Sequence, residues 1–392
     1  MSLVIGTELS AQQESTFSER SLYAQKLDWI RLNLIRGLGP RLRQALLERF
    51  STPESILQAQ TSELLSVPGI GRRLAQSISQ AANRMEAIAE YSACHAKGFT
   101  LVTPYDAIYP ASLKEIPDPP GTLYVHGRIL ESDALAFAIV GSRHATRYGL
   151  NQTSLLAAGL AKAGYTIVSG LARGIDTAAH RAAISAGGRT LAVLGSGLQQ
   201  VYPPENQDLA NEVAEQGAVL TEHALDHQPK STSFPQRNRI ISGLSLGVIV
   251  IEAAKRSGAL ITVRHALEQN RDVFALPGRA DSRMSAGCHQ LIRDGAKLVE
   301  NVDHILEELG PLSSPTVDSN GHTVSHPLEL KLNEQERILM DLIDVENVSI
   351  EYLVEQTGIS VSRVLATLSV LESKKMIERV SGTQVCRRSC FA

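Results

Sequence analysis

Short, uniformly apolar runs alternate with helical patterns between residues 134 and 309. The predicted strands are Ala136–Val140, Thr166–Ser169, Thr190–Leu194, Ala218–Thr221, Leu246–Ile251, Asp272–Ala275 and Lys297–Val299. Because most of these runs are continuously apolar instead of alternating, they are typical of strands buried on both faces. The helical segments between them suit right-handed crossovers between parallel strands. The pattern therefore predicts an α/β fold built on an extended Rossmann-like, mostly parallel sheet.

The composition is that of a globular protein without a strongly basic body. A chain of 392 residues is expected to hold two or three domains, and 43% hydrophobic and 20% charged residues are ordinary values. The formal net charge is −3, so any nucleic-acid site must be a local basic patch. The N-terminus has no signal-like pattern and no apolar run reaches membrane-spanning length, so we expect a cytoplasmic protein with no membrane partner.

Neither a metal nor a cofactor is expected. The four cysteines are too scattered for a disulfide framework, and Cys386 and Cys390 have no second ligand pair at zinc-like spacing. A dinucleotide enzyme would need a G-x-G-x-x-G run after the first strand and an acidic residue at the end of the second, and both are missing.

The pattern along the chain divides it into five segments. We predict a disordered segment at 1–20, a helical domain at 21–92, a connector and Rossmann-like domain at 93–310, a linker at 311–330 and a winged-helix-like domain at 331–392. The connector contributes two further strands, Thr100–Thr103 and Leu123–His126. The third helix of the last domain carries only Arg363 early on, so a protein-contact role is favoured there over sequence-specific reading of duplex DNA.

Two Gly-x-Gly turns punctuate the helical domain, at Gly37–Leu42 and Pro68–Leu74. Each follows an apolar helix and opens another, which is a helix-hairpin-helix pattern. Backbone N–H groups at such a hairpin can hold a DNA phosphate at the start of the following helix. The other interpretation, which we favour, is that the glycines only allow tight turns between helices.

Three small-residue turns at strand ends are compatible with phosphate. After the first core strand, Gly141 permits the turn, Ser142 can donate to a phosphate and Arg143 can bind one bidentately, with Arg147 extending the cationic surface. The turn after the second strand contains Ser169, Gly170, Arg173 and Gly174, and a third turn contains Ser257, Gly258 and Thr262. Leu276–Gly278 ends a later strand. Asp176 and His180 lie one helical turn apart, and we expect a structural pair there more than an acid–base pair.

The run from Lys230 to Arg239 is the most unusual in the sequence. We place Phe234 in an exposed loop, where Lys230, Arg237, Asn238 and Arg239 surround it. An aromatic ring among cations suits single-stranded DNA, because a base stacks on the ring while the cations hold the backbone. The alternative is that Phe234 plugs the core and the arginines pair with Asp or Glu.

These motifs, in this order, resemble the DprA/Smf family of bacterial DNA-processing proteins over nearly the whole chain. The resemblance implies a helix-hairpin-helix or SAM-like domain, a Rossmann-like core and a winged-helix-like domain. It implies a homodimer through that core, which binds single-stranded DNA without sequence preference, protects it and helps load RecA during natural transformation. It also implies that Gly141, Ser142 and Arg143 belong to the DNA pocket, with Lys230, Phe234, Arg237 and Asn238 nearby. One departure is His289, where the family usually has Asn; an imidazole there either orients a loop or makes DNA affinity pH-sensitive.

An enzymatic function is the main alternative, because Rossmann proteins that cleave nucleoside monophosphates share such phosphate turns. Their Pro-Gly-Gly-x-Gly-Thr loop is absent, since the corresponding stretch is Arg256–Thr262. A duplex-specific transcription factor would depend on the C-terminal domain alone. We therefore expect a DNA-binding protein that is not an enzyme.

Overall fold

The computed structural model describes residues 22–81, 84–309, 316–318, 321–324, 329–330, 332–344, 346–374 and 376–388. The predicted disordered segment at 1–20 and Cys390 lie outside these residues. The chain divides into two compact units, 1–302 and 303–392.

The first unit is built on a nine-stranded sheet with the order β1-β2-β6-β5-β4-β3-β7-β8-β9. Its strands are β1 (Thr100–Val102), β2 (Leu123–Gly127), β3 (Ala136–Val140), β4 (Thr166–Ser169), β5 (Thr190–Val193), β6 (Ala218–Thr221), β7 (Gly247–Val250), β8 (Asp272–Ala275) and β9 (Lys297–Leu298). The strands from β6 to β9 in this order are parallel, and β1 and β2 extend the sheet in antiparallel pairing. Every residue of β3, β4, β5, β6 and β7 is buried, which is why these runs are apolar throughout.

Helices connect the parallel strands. They are α8 (Arg147–Lys162), α9 (Ile175–Ser185), α10 (Gln207–Gln216), α11 (Ser233–Gly243), α12 (Ala259–Glu268) and α13 (Ala286–Arg293). α9 packs against both α8 and α10, whereas α11 packs against α12. Because right-handed crossovers that run in opposite directions lie on opposite faces, these two helical layers enclose the sheet.

The strand order reverses between β3 and β7. From β3 the chain moves outward through β4, β5 and β6, and then returns to place β7 on the other side of β3. In open α/β sheets, such a reversal opens a crevice outside the carboxyl ends of the two strands. The loops that follow Val140 and Val250 therefore border the most favourable place for a ligand.

Short helices precede the sheet and pack on its antiparallel edge. Residues 22–34 form the first helix, α1, followed by α2 (Pro40–Phe50), α3 (Pro53–Gln58), α4 (Thr61–Leu64), α5 (Arg72–Gln80), α6 (Arg84–Ala96) and, after β1, α7 (Ala111–Lys114). Leu27 and Ile30 of α1 share a buried cluster with Leu101 of β1 and Tyr124 of β2. The helical segment is thus part of the first compact unit.

The second unit contains three helices and a small sheet around their own buried cluster. Its elements are α15 (Glu334–Leu342), β12 (Val348–Ser349), α16 (Ile350–Thr357), α17 (Val361–Ser373), β13 (Ile377–Ser381) and β14 (Gln384–Arg387). Gly358 ends α16 in the left-handed conformation with φ 65°, as a glycine C-cap does. Within the predicted linker, β10 (Thr316–Val317) pairs with β11 (Thr323–Val324), and α14 (Val302–Leu306) precedes them.

The predicted fold class is confirmed. The predicted core strands agree with the structure to within one residue at each end. Two expectations from the sequence are wrong, and both concern helices. Phe234 lies in a helix and not in an exposed loop. Asp176 and His180 do not pair with each other.

Candidate nucleic-acid interface

A cleft of about 720 Å³ opens at the strand-order reversal. Its walls come from the turn after β3, the first turns of α11 and the turn that precedes α12. This volume is within the usual range of ligand sites. Nine predicted site residues line it: Gly141, Ser142, Arg143, Phe234, Arg237, Asn238, Ser257, Gly258 and Thr262.

The remaining predicted residues, Arg147, Ser169, Gly170, Arg173, Gly174, Lys230 and Arg239, do not line this cleft. Gly174 still shapes it, because it has φ +74° and a Cβ there would lie 2.3 Å from the carbonyl oxygen of Ser142. The N–H of Ile175 donates to that same carbonyl at 3.2 Å. The turn after β4 thereby fixes the turn after β3.

The Arg143 guanidinium lies over the Phe234 ring, with Cζ 5.4 Å from the ring centroid. This distance is typical of a cation–π contact. No carboxylate within the described residues forms an ion pair with Arg143, whose side chain is exposed. The cleft therefore presents an uncompensated cation beside an aromatic ring.

Phe234 is held by a helix and not by an exposed loop, so that part of the sequence prediction is wrong. It is the second residue of α11, and it is half-buried. Its ring packs beside Tyr202, with centroids 5.5 Å apart, and against Gly195. Proline is tolerated in the first turn of a helix because the N–H there has no intrahelical partner, and so Pro235 does not interrupt α11.

Arg237 is a buried side chain that connects α11 to the sheet beneath the cleft. Its side chain is 4% exposed, and Nη1 donates to the carbonyl oxygens of Gly170, at 2.7 Å, and Val193. Burial lowers the pKa of Arg237 to about 10, and the nearby Asp176 carboxylate opposes that shift. Asp176 accepts from the N–H groups of Gly170 and Ala172, and burial raises its pKa. Arg237 thus connects α11 to the turn after β4 and to the end of β5, while its guanidinium remains charged at neutral pH.

Arg239 and Ser169 do not reach the cleft. Arg239 is 1% exposed and its Nη2 lies 2.5 Å from Glu222 Oε2, on the side of α11 that faces Arg43 of α2. Arg237 and Arg239 are two residues apart in a helix, so their side chains point about 200° apart. The Ser169 hydroxyl is buried and donates to the carbonyl oxygen of Ile139 at 2.6 Å. These two residues are structural in the first unit.

Three other predicted cations are exposed outside the cleft. Arg147 begins α8, Lys230 borders a second cleft beside the N-terminal helices, and Arg173 forms an exposed ion pair with Glu205. The pKa of Glu205 is lowered by its hydrogen bond to Arg173.

Asp176 and His180 have separate partners, which corrects the expectation of a pair. His180 Nδ1 lies 2.7 Å from Thr190 Oγ1, and burial lowers the pKa of His180 to about 3. A group that is neutral and enclosed in this way is a core histidine.

Glu252 was not identified from the sequence, although it fixes the turn that carries Arg143. It is buried after β7, where its carboxylate accepts from Thr146 N at 2.9 Å and from Thr146 Oγ1 at 2.5 Å. Thr146 in turn caps α8 by accepting from the N–H of Gly149. The available signal was a threonine at a helix start together with a carboxylate at a strand end.

His289 lies beside the loop that ends β8. Its Nε2 is 3.0 Å from the carbonyl oxygen and 3.3 Å from the N–H of Gly278. Of the two sequence-based alternatives, this geometry matches the one in which the side chain orients a loop.

The charge around the cleft is positive. Arg143 and Arg237 line it, and the single lining carboxylate within the described part of the chain is the buried Asp176. The first N–H groups of α12 have partners within the chain, because Ala259 N donates to Ser257 Oγ at 3.3 Å and Leu260 N donates to the carbonyl oxygen of Ser257 at 3.2 Å. An extended anion that carries bases would find positive charge and an aromatic ring together in the cleft.

Across the described residues, no group of three or more His, Cys, Asp or Glu could hold a metal ion, and no helix is long and apolar enough to cross a membrane.

The third helix of the second unit, α17, offers little to a duplex. The Arg363 guanidinium donates to Gln335 at 3.2 Å, and Arg379, on the adjacent strand, pairs with Glu372 of α17. These cations are engaged within the unit.

Comparisons with known proteins agree with this arrangement. Family models match residues 100–310 (DNA recombination-mediator protein A), 30–84 (SAM-like helix-hairpin-helix tandem) and 325–383 (DprA winged helix domain). The chain is 42% identical to protein Smf of Escherichia coli over 286 residues, which is 72% of this chain and 76% of the relative. It is 47% identical to DNA processing protein DprA of Streptococcus pneumoniae over 206 residues, 52% of this chain and 72% of the relative. The crystal structure of that Streptococcus protein aligns with a TM-score of 0.64 and 35% identity, covering 72% of this chain and 97% of that one. The chain belongs to the DprA/Smf family of DNA-processing proteins.

Proposed function

We propose that this protein binds single-stranded DNA in the cleft between the turn after β3 and the first turns of α11. The observation that carries the proposal is the contact between Arg143 and Phe234, in a cleft where the one lining carboxylate among the described residues is buried. A cation and a ring in one cleft suit phosphate and base together, and stacking on a ring is tolerant of sequence. Glu252 and Arg237 position the turns and make no direct contact with DNA.

The second step of the proposal is that the bound strand is handed to RecA during natural transformation. Support comes from the family, whose model describes a recombination mediator. In this role the protein is a cytoplasmic homodimer through the Rossmann-like core, and two clefts on one strand gain avidity. In this proposal the protein acts by binding alone, since the one carboxylate that lines the cleft among the described residues, Asp176, is buried and accepts from backbone N–H groups.

The direct test is a titration of the full-length protein into a labelled oligothymidylate and a matched duplex, across a salt series. We expect tight, salt-sensitive binding that prefers the single strand. Preference for the duplex would contradict the proposal. For the RecA step, RecA ATP hydrolysis on strands pre-coated with single-strand-binding protein should start with a shorter lag when this protein is added, and an unchanged lag would contradict that step.

A further inference from the structure

The cleft at the strand-order reversal, here called the core cleft, contains a second aromatic ring. Tyr202, in the loop between β5 and α10, lines this cleft and is half-buried. Its ring packs beside Phe234, with the centroids 5.5 Å apart and the planes at 42° to each other. Because the planes are tilted, one flat base cannot stack on both rings. The two rings therefore offer separate stacking surfaces to two bases of a strand.

A cation lies beside this second ring. Arg173 follows Ala172, which lines the core cleft, in the turn after β4. Its Nε donates to Glu205 Oε1. That hydrogen bond raises the pKa of Arg173, with a smaller contribution from a hydrogen bond between Arg173 and the Tyr202 side chain. Arg173 is therefore close enough to meet the phosphate of a nucleotide whose base lies on the Tyr202 ring.

The loop between β5 and α10 is held in place by a buried side chain. Asn206 is 3% exposed, and its Nδ2 donates to the carbonyl oxygen of Leu171 at 2.8 Å and to Thr177 Oγ1 at 2.9 Å. Leu171 belongs to the same turn as Arg173. The loop is thus fixed against this turn, and the ring, the cation and the carboxylate keep their relative places.

Glu205 competes for the cation. The Glu205 carboxylate and the Arg173 guanidinium are 51% and 49% exposed, and no other carboxylate among the described residues forms an ion pair with Arg173. The hydrogen bond from Arg173 lowers the pKa of Glu205, so the carboxylate is charged at neutral pH. Exposed ion pairs contribute little free energy because both groups are well solvated. A DNA phosphate, which is another charged acceptor, can therefore replace the carboxylate on Arg173.

We propose that Tyr202 and Arg173 form a second nucleotide subsite at this end of the core cleft, and that Glu205 restrains it. This inference rests on the proposed function. In the subsite, one base stacks on Tyr202, and Arg173 leaves Glu205 to bind the neighbouring phosphate. Glu205 then faces the strand as an unpaired negative charge, which lowers the affinity for DNA. The wild-type protein thus binds single strands less tightly than the same cleft would without this carboxylate.

The chain offers a matched control for Glu205. Asp208 is an exposed carboxylate in the first turn of α10, three residues further along. It forms no ion pair within the part of the chain that the structure describes. Glu205→Gln and Asp208→Asn each remove one negative charge from this region and keep the size of the side chain. Of the two substitutions, Glu205→Gln is the one that releases Arg173.

The experiment measures the affinity of full-length variants for a labelled oligothymidylate of about 20 nucleotides at low salt, since single-strand sites span roughly 4–16 nucleotides per fold. We expect Glu205→Gln to bind with an affinity about threefold or more above that of the wild type, because no ion pair has to open. Asp208→Asn should gain clearly less. In an Arg173→Met background, Glu205→Gln should gain no more than Asp208→Asn does, because the cation that it releases is gone. Thermal unfolding checks that each variant is folded.

The ring of Tyr202 is tested separately. Tyr202→Leu should weaken binding by about fivefold or more with an unchanged salt slope, because a stacked base releases no counterions. Tyr202→Phe, which keeps the ring, should lose less. Since Tyr202 also packs against Phe234, Tyr202→Leu is repeated in a Phe234→Ala background. An independent stacking surface still loses affinity there, whereas a side chain that only supports the Phe234 ring does not.

The inference is overturned if Glu205→Gln and Asp208→Asn gain equally, or if the gain of Glu205→Gln persists in full without Arg173, because Glu205 would then act only through general charge. It is also overturned if Tyr202→Leu costs no further affinity in the Phe234→Ala background. Arg143→Ala separates this inference from the proposed function. If Arg143→Ala weakens binding while Glu205→Gln matches Asp208→Asn, the proposed function stands and the second subsite fails. If the wild type does not bind the single strand, both fail.

Discussion

The guanidinium of Arg143 covers one face of Phe234, at 5.4 Å from Cζ to the ring centroid. A base sandwiched between the two groups would need roughly 7 Å, which is two layers of van der Waals contact. The guanidinium must therefore leave the ring before a base can stack on that face. In the proposed binding mode, a strand therefore exchanges this cation–π contact for a base stack and frees Arg143 to bind a phosphate.

Replacing Arg143 by alanine should weaken single-strand binding by more than about 1.5 kcal/mol, in the range of hydrogen bonds to charged groups. Fluorescence anisotropy with a labelled oligothymidylate measures this. Arg181→Ala is the matched control, because Arg181 is an exposed arginine of α9 that does not line the core cleft. An Arg143 variant with wild-type affinity would remove this residue from the site.

Phe234→Ala should weaken binding by about 1–3 kcal/mol with an unchanged salt slope, because a stacked base releases no counterions. Titrations at several salt concentrations give both quantities. Tyr352→Ala, at an exposed aromatic of the second unit, should leave binding unchanged. A slope that falls along with the affinity would mean that Phe234 acts through phosphate contacts and not through stacking.

Arg237→Met should lower the free energy of unfolding by about 3 kcal/mol or more, because it removes the buried hydrogen bonds to the carbonyl oxygens of Gly170 and Val193 and the positive charge near the buried Asp176 carboxylate. Arg173→Met removes an exposed cation whose partner Glu205 is also exposed, and no change in the unfolding midpoint is expected. Urea unfolding followed by circular dichroism compares the two. Equal effects of both substitutions would contradict the structural role of Arg237.

His180 should make the protein less stable in acid. Its pKa in the folded protein is about 3, below the ordinary value of 6.5, because burial disfavours the charged ring. Between these values the unfolded state binds the extra proton, so stability falls as pH decreases, by up to about 1.4 kcal/mol per pH unit. His180→Gln should reduce this slope between about pH 3 and 6.5. Unfolding free energies at pH 5 and pH 7 test this, and an unchanged slope would show that His180 does not titrate with unfolding.

Deleting residues 311–392 should leave single-strand binding largely intact, since every cleft-lining residue belongs to the first compact unit. The truncated and full-length proteins are compared in one anisotropy titration. Loss of binding in the truncated protein would move the site to the second unit.

The fold could be predicted from the sequence because burial of a strand restricts which residue types it can contain. A strand such as β3, covered on both faces, can hold only apolar residues, and so Ala136–Val140 could be bounded correctly. The terminal domains were predicted from their helical patterns and glycine turns, and the family resemblance agreed with that prediction.

The directions in which side chains point were harder to predict from the sequence, because they depend on partners that are distant along the chain. Arg237 and Arg239 look equivalent in the sequence, yet one bonds to carbonyls of the sheet turns and the other to Glu222. Recognising α11 as a helix would have separated them, since two residues in a helix turn the side chain by about 200°. The Phe234-Pro235 pair hid that helix, because proline is tolerated only in the first turn of a helix and otherwise indicates a loop.

The reversal of strand order between β3 and β7 has a consequence for synthesis on the ribosome. The cleft takes one wall from Gly141–Arg143 and another from Ser257–Thr262, with more than a hundred residues between them. A nascent chain that has emerged only as far as β6 carries the Arg143 turn but neither Phe234 nor the α12 turn. In the proposed function, the growing polypeptide therefore cannot hold a strand in this cleft until translation has passed Thr262, which follows strand β7.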